Sequence, residues 1–185
     1  NLTHVEGSTD PLRDIEIINT ELIMADLEMI DRRIDKAQKM AKGGDKRYNH
    51  EAELFTALRD YMNEGNLART FECSEDDAAM IATSDLLTLR KTIYAANLGE
   101  NEVNDPESSR HFTAVRKLAE QEGSQVLPIC AKLEADIAEL DDPDEKAMFM
   151  EELGLQESGL DRLIQCSSAL LGLLPFLPAG TDECR

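Results

Sequence analysis

Apolar residues recur at Ile23, Leu27, Ile30, Ile34, Ala37 and Ala41. Steps of 4, 3, 4, 3 and 4 lay one heptad stripe along a helix. No Gly or Pro falls between residues 12 and 42, and Ile15, Ile18 and Leu22 carry an apolar face upstream. Asp10-Pro11 is a start signal, an aspartate able to cap followed by proline at the first helical position. Gly43-Gly44 stops the helix, which at 1.5 Å per residue is roughly 45 Å long. A second helix restarts near Asp45 and ends at Gly65, with Leu54, Leu58 and Tyr61 on one side and Phe55 and Met62 beside them. Residues 11–65 are therefore expected to form a long antiparallel coiled-coil hairpin.

The grammar changes after residue 65. Ser74 precedes three acidic residues, Glu75, Asp76 and Asp77, the pattern of a capped helix start. Residues 92–96 read as a short buried strand, 97–106 as a polar loop and 108–122 as an amphipathic helix carrying Phe112, Val115, Leu118 and Ala119 and ending at Gly123. Residues 125–130 read as a second apolar strand. Helical segments follow at 133–140, 145–153 and 160–171. Strand, helix, strand implies a parallel pair. The expected class is α/β, mostly helical: a partial parallel sheet of the P-loop type with the helical hairpin attached. Two strands do not stand alone, so their partners are expected in a part of the protein outside this chain. A first residue Asn1 rather than Met supports the expectation of a piece of a longer protein, and residues 175–178 are expected to lead toward a further domain.

The 185 residues carry 19 Lys plus Arg and 38 Asp plus Glu, a formal charge of −19. A chain this acidic repels phosphate and is a poor general nucleic-acid binder unless it carries a local basic patch. No apolar run reaches a membrane span of about 18 residues. The start lacks a signal-peptide pattern. Cys73, Cys130, Cys166 and Cys184 are scattered without C-x-x-C, so free thiols in a reducing, cytoplasmic setting are expected. His4, His50 and His111 share no zinc-ligand spacing. No G-x-x-x-x-G-K-[ST] is present, and no Asp has Gly three positions on. The chain itself shows neither a phosphate cradle nor a magnesium-holding acid.

Two loops sit where open α/β sheets bind ligands, at the C-terminal ends of the expected strands. The first is Asn97-Leu98-Gly99-Glu100, the second Cys130-Ala131-Lys132. Together they resemble the base-reading N-K-x-D and S-A-K loops of GTPase-type P-loop proteins. The plain alternative makes Asn97 a turn residue and Glu100 a solvated acid.

The resemblance extends along the chain. Asp10-Pro11-Leu12-Arg13-Asp14-Ile15-Glu16 with Asn19-Thr20-Glu21-Leu22, then Ala41-Lys42-Gly43-Gly44-Asp45-Lys46, resemble the Obg-like ATPase (YchF) family. So do Ala131-Lys132-Leu133-Glu134, Ala138-Glu139-Leu140-Asp141-Asp142, Glu151-Glu152-Leu153-Gly154-Leu155, and Ser158-Gly159-Leu160-Asp161-Arg162-Leu163-Ile164. The resemblance implies that 11–65 is a coiled-coil insertion into a P-loop nucleotidase domain and 66–180 the C-terminal half of that domain. The P-loop, switch regions and TGS domain would lie outside this chain. It further implies a ribosome-associated protein that binds and hydrolyses ATP with Mg2+ and prefers ATP to GTP. Asn97 would meet a purine ring nitrogen, and the Leu98 backbone the exocyclic amine, with the Leu98 side chain near the base. Glu100 stands where guanine-selective relatives have Asp, and Cys130, Ala131 and Lys132 would close the other side. A longer acid at 100 and Leu98 in place of Lys both weaken guanine selection, because unmet polar partners cost roughly 1–3 kcal/mol each. The chain alone is expected to bind ATP weakly or not at all and not to hydrolyse it.

Between residues 32 and 47 lie seven basic residues, Arg32, Arg33, Lys36, Lys39, Lys42, Lys46 and Arg47, against Asp35 and Asp45, a net +5 that leaves −24 elsewhere. A basic end on an acidic rod suits a phosphate partner such as ribosomal RNA. The alternative is a solvated tip with cations favoured at a helix C-terminus. A different class of function also fits this segment: a non-enzymatic helical module that binds a partner through the hairpin tip.

Overall fold

The computed structural model describes residues 10–42 and 47–173. The Gly43-Gly44 turn, Lys46, residues 175–178 and Cys184 lie outside the described residues. The chain divides into two compact units, Asn1–Lys91 and Thr92–Arg185.

The first unit is built on α1 (Pro11–Ala41) and α2 (Arg47–Asn63). Asp10 caps α1, its carboxylate accepting the Arg13 N–H at 3.3 Å. Arg33 pairs with Glu51 at 2.7 Å, and Asp31 lies 3.8 Å from Arg59. Later positions on α1 thus meet earlier ones on α2, so the helices run in opposite directions. Ile23, Ile30 and Ile34 are buried against Leu54, Phe55, Leu58 and Met62. Each such side chain removed from water contributes about 1.5–3 kcal/mol. Upstream the stripe is covered only in part: Ile15 and Leu22 are partly buried, while Ile18 is 56% exposed.

The boundary between units falls 26 residues later than the division expected at 65/66. Leu67, Ala68, Ile81 and Leu86 pack into the same core as the two long helices. Short 3-10 turns at Ala68–Thr70 and Leu87–Leu89, and α3 (Glu75–Ala82), therefore belong with α1 and α2. Ser74 caps α3 through the Asp77 N–H. His50 of α2 lies 2.6 Å from Asp77; that hydrogen bond, with the one from Ser74, holds the Asp77 carboxyl below its ordinary range.

Asp26 is the departure from the apolar stripe. Its side chain is fully buried. One carboxylate oxygen accepts the Leu87 N–H at 2.8 Å; the other accepts the Thr88 N–H at 2.8 Å and the Thr88 hydroxyl at 2.7 Å. The Thr88 hydroxyl in turn accepts the Ala68 N–H at 3.2 Å.

The second unit is a mostly helical α/β layer. Strands β1 (Ile93–Asn97) and β2 (Gln125–Ile129) pair in parallel, with Asn97 opposite Ile129. The crossover is α4 (Arg110–Glu122), whose Phe112, Val115 and Ala119 are buried. Gly123 ends α4 at φ +66°, a left-handed conformation that glycine adopts without steric cost. Three helices follow: α5 (Ala131–Ala138), α6 (Pro143–Glu152) and α7 (Gly159–Leu170). Among the described residues the sheet has two strands, and no helix is long and apolar enough to cross a membrane.

Candidate functional site

Parallel pairing places the ends of β1 and β2 side by side, which decides where the two loops go. Asn97 closes β1, one residue later than the sequence pattern suggested. Its Oδ1 accepts the Ala131 N–H at 3.0 Å. Ala131 opens α5, so this amide is among the donors that a helix start leaves without intrahelical partners. Asn97 is thus a cross-loop clasp rather than a local turn residue. The Leu98 N–H continues the ladder to the Ile129 carbonyl at 2.8 Å.

A second clasp lies beside the first. Lys132 Nζ meets Glu100 Oε1 at 2.5 Å, with both side chains well exposed. Hydrogen bonding to Glu100, and then its charge, raise the Lys132 pKa above the ordinary lysine value. Glu102 supports the same loop by accepting the Gly99 N–H at 3.2 Å. Asn97, Glu100, Ala131 and Lys132 therefore converge at one end of the sheet.

Leu98 and Cys130 behave differently from the rest. Cys130 is buried and packs with Val103 and Leu133, and Leu98 packs against that cluster. The Leu98 side chain, which the resemblance puts near a base, is partly buried against this cluster. The Cys130 thiol makes no cap hydrogen bond to α5. Both residues offer the loop their backbone. The Leu98 N–H is committed to the ladder; an exocyclic amine is a donor, so the backbone partner Leu98 could offer it is its carbonyl.

Glu134, one turn into α5, carries a role that sequence reasoning missed. Its carboxylate accepts the Gly159 N–H at 2.6 Å and the Leu160 N–H at 3.1 Å, holding the start of α7 against α5. A side chain at 159 would meet it: a Cβ there would lie 2.7 Å from Glu134 Oε1. The Ala131-Lys132-Leu133-Glu134 run was visible in the sequence, but the partner 25 residues away was not.

In the first unit, Arg32, Lys36, Lys39, Lys42 and Arg47 are exposed near the ends of α1 and α2. Arg33 is not presented in the same way. It pairs with Glu51 and lies over the Phe55 ring, 4.4 Å from its centroid. Arg32, Arg33, Lys36, Ala37, Tyr48 and Glu51 line an open cleft of about 470 Å³. No group of three or more His, Cys, Asp or Glu among the described residues is arranged to hold a metal ion.

No protein-family model matches the chain. It is 43% identical, over all 185 residues, to a protein of Bacillus subtilis (strain 168) named ribosome-binding ATPase YchF. It is 42% identical over the same span to the Escherichia coli O157:H7 protein of that name. In both cases it covers 50% of the relative, so the chain spans about half the length of the curated relatives it matches. Among solved structures, that of the Schizosaccharomyces pombe YchF GTPase shares the fold, with a TM-score of 0.84 at 23% identity over 100% of this chain and 50% of that one. Along its entire length, then, the chain is a homologue of the YchF proteins and corresponds to about half of one.

Proposed function

We propose that this chain supplies the base-recognising half of the nucleotide domain, together with the coiled-coil arm, of an ATP-binding and ATP-hydrolysing protein that associates with the ribosome. The observation that carries the reading is the double clasp at the strand ends, Asn97 to Ala131 and Glu100 to Lys132. With Asn97 Oδ1 holding the Ala131 amide, the Nδ2 end is the donor, and a purine N7 is an acceptor. The Leu98 carbonyl suits the adenine amine, and the backbone of residues 130–132 forms the opposite wall. The names of the relatives, ribosome-binding ATPase, support both halves of the proposal. The phosphate-binding loop and the Mg2+ ligands belong to the part of the protein outside this chain. The two-stranded sheet, the exposed Leu160 and Ile164 of α7 and Leu171 at its C-cap favour further packing there.

Asn97→Ala tests the base site. In a protein of full YchF length, ATP affinity is expected to fall by about tenfold or more, since both the N7 contact and the clasp are lost. Unchanged affinity by calorimetry would remove Asn97 from the site. The exposed cations at the ends of α1 and α2 support the ribosome contact. Reversing Lys36, Lys39 and Lys42 to Glu is expected to abolish co-sedimentation with ribosomes while leaving ATP affinity unchanged. Full co-sedimentation would assign the contact elsewhere. The non-enzymatic alternative, an arm that binds a partner through the same tip, predicts that binding survives in a variant unable to bind ATP.

A further inference from the structure

We propose that Lys132 is a specificity-determining residue, which disarms Glu100 as a reader of guanine and so biases the site toward adenine. This rests on the base-site reading above and names what selects the base within it.

Guanine presents two donors along one edge, the ring N1–H and the exocyclic N2–H. A carboxylate reads that edge by accepting both at once, one on each oxygen. Adenine presents an acceptor, N1, at the corresponding position and would meet a bare carboxylate as a repulsive partner. Glu100 occupies the acidic position of the loop, but its Oε1 is taken by the Lys132 ammonium. A guanine edge must therefore compete with the ammonium for that oxygen, and the local negative charge that would disfavour adenine N1 is offset.

The surrounding contacts hold the pair in register. The Asn97 side chain fixes the Ala131 amide directly before Lys132. Glu102, accepting the Gly99 N–H, fixes the turn directly before Glu100. Farther along α5, Glu134 ties the helix to the start of α7. Both members of the pair are exposed, so their own contribution to folding is small and a substitution at Lys132 leaves the fold intact.

The experiment is a set of calorimetric titrations with ATP and GTP on the full YchF-length protein: unaltered, Lys132→Met, Lys132→Arg, and Lys132→Met combined with Glu100→Ala. Lys132→Met is expected to raise GTP affinity and lower ATP affinity, moving their ratio about tenfold toward GTP. Lys132→Arg, which keeps the pair, should retain the original ratio. Adding Glu100→Ala should cancel the gain for GTP, because the freed carboxylate is its cause. A ratio that moves less than about twofold in Lys132→Met overturns the proposal. So does a GTP gain that survives Glu100→Ala. If the unaltered protein binds neither nucleotide, the base-site reading itself fails and takes this proposal with it. That outcome is distinct from tight binding with an unmoved ratio.

Discussion

Asp26→Ala is expected to destabilise the first unit by about 4 kcal/mol, because it leaves three donors in the core without an acceptor. The Leu87 N–H, the Thr88 N–H and the Thr88 hydroxyl all converge on this one carboxylate. The methyl group of alanine accepts nothing, and the one acceptor among the groups left behind, the Thr88 hydroxyl oxygen, already takes the Ala68 N–H. Asp26→Asn should cost less, about 2 kcal/mol, since its amide oxygen still accepts while its nitrogen faces the donors that the second carboxylate oxygen served. Thr88→Val should cost about 1–2 kcal/mol by orphaning the Ala68 N–H. The chain has two compact units, so a single melting curve does not isolate the effect. Native-state hydrogen exchange does. Protection of the α1 and α2 amides should fall by about a thousandfold in Asp26→Ala, while that of α4 and β2 stays as it was. A loss under about tenfold in α2, or an equal loss in both units, would show that Asp26 does not hold this core together.

Features set by neighbours in the chain were legible in the sequence. The Asp10 and Ser74 caps form as their positions indicate, and the helix stretches follow the 3.6-residue period. The parallel pair followed from strand–helix–strand order, and with it the meeting of Asn97 and Ala131. Features set by distant partners were not legible. The heptad stripe passes from Ile23 to Leu27 and leaves Asp26 out; only the arrival of residues 87–88, some 60 positions later, makes it a core residue. Arg33 counted as one more cation of the tip until Glu51 and Phe55 enclosed it. The compact units divide at 91/92 rather than 65/66 for the same reason. Gly65 ends a helix, but Leu67, Ala68, Ile81 and Leu86 still have apolar surface to bury, and the α1–α2 core takes it. The packing of Leu98 against Val103, Cys130 and Leu133 likewise depends on residues distant in the chain.

Phe55→Ala is expected to cost the first unit about 4 kcal/mol, within the range for emptying a buried aromatic site. Phe55 is fully buried beside Ile30, Leu58 and Met62. These neighbours sit on two long helices whose backbones cannot close the gap without breaking the rest of the interface, so the cavity persists. A second loss is specific to this site. The Arg33 guanidinium lies over the ring, and removing the ring takes away a cation–π contact of about 0.5–2 kcal/mol. Phe55→Leu separates the two effects, since it fills most of the volume but presents no π face; it should cost about 1.5 kcal/mol. Arg33→Met keeps much of the stem packing and removes the charge, along with the part-buried pair to Glu51, for about 1 kcal/mol. In a double-mutant cycle, Phe55→Leu with Arg33→Met should show a coupling of about 0.5–1 kcal/mol. Strict additivity would mean that the guanidinium merely passes over the ring. Coupling would mean that the ring holds Arg33 in place, which withdraws it from the exposed cations and leaves Arg32, Lys36, Lys39, Lys42 and Arg47 as the charges presented near the ends of α1 and α2.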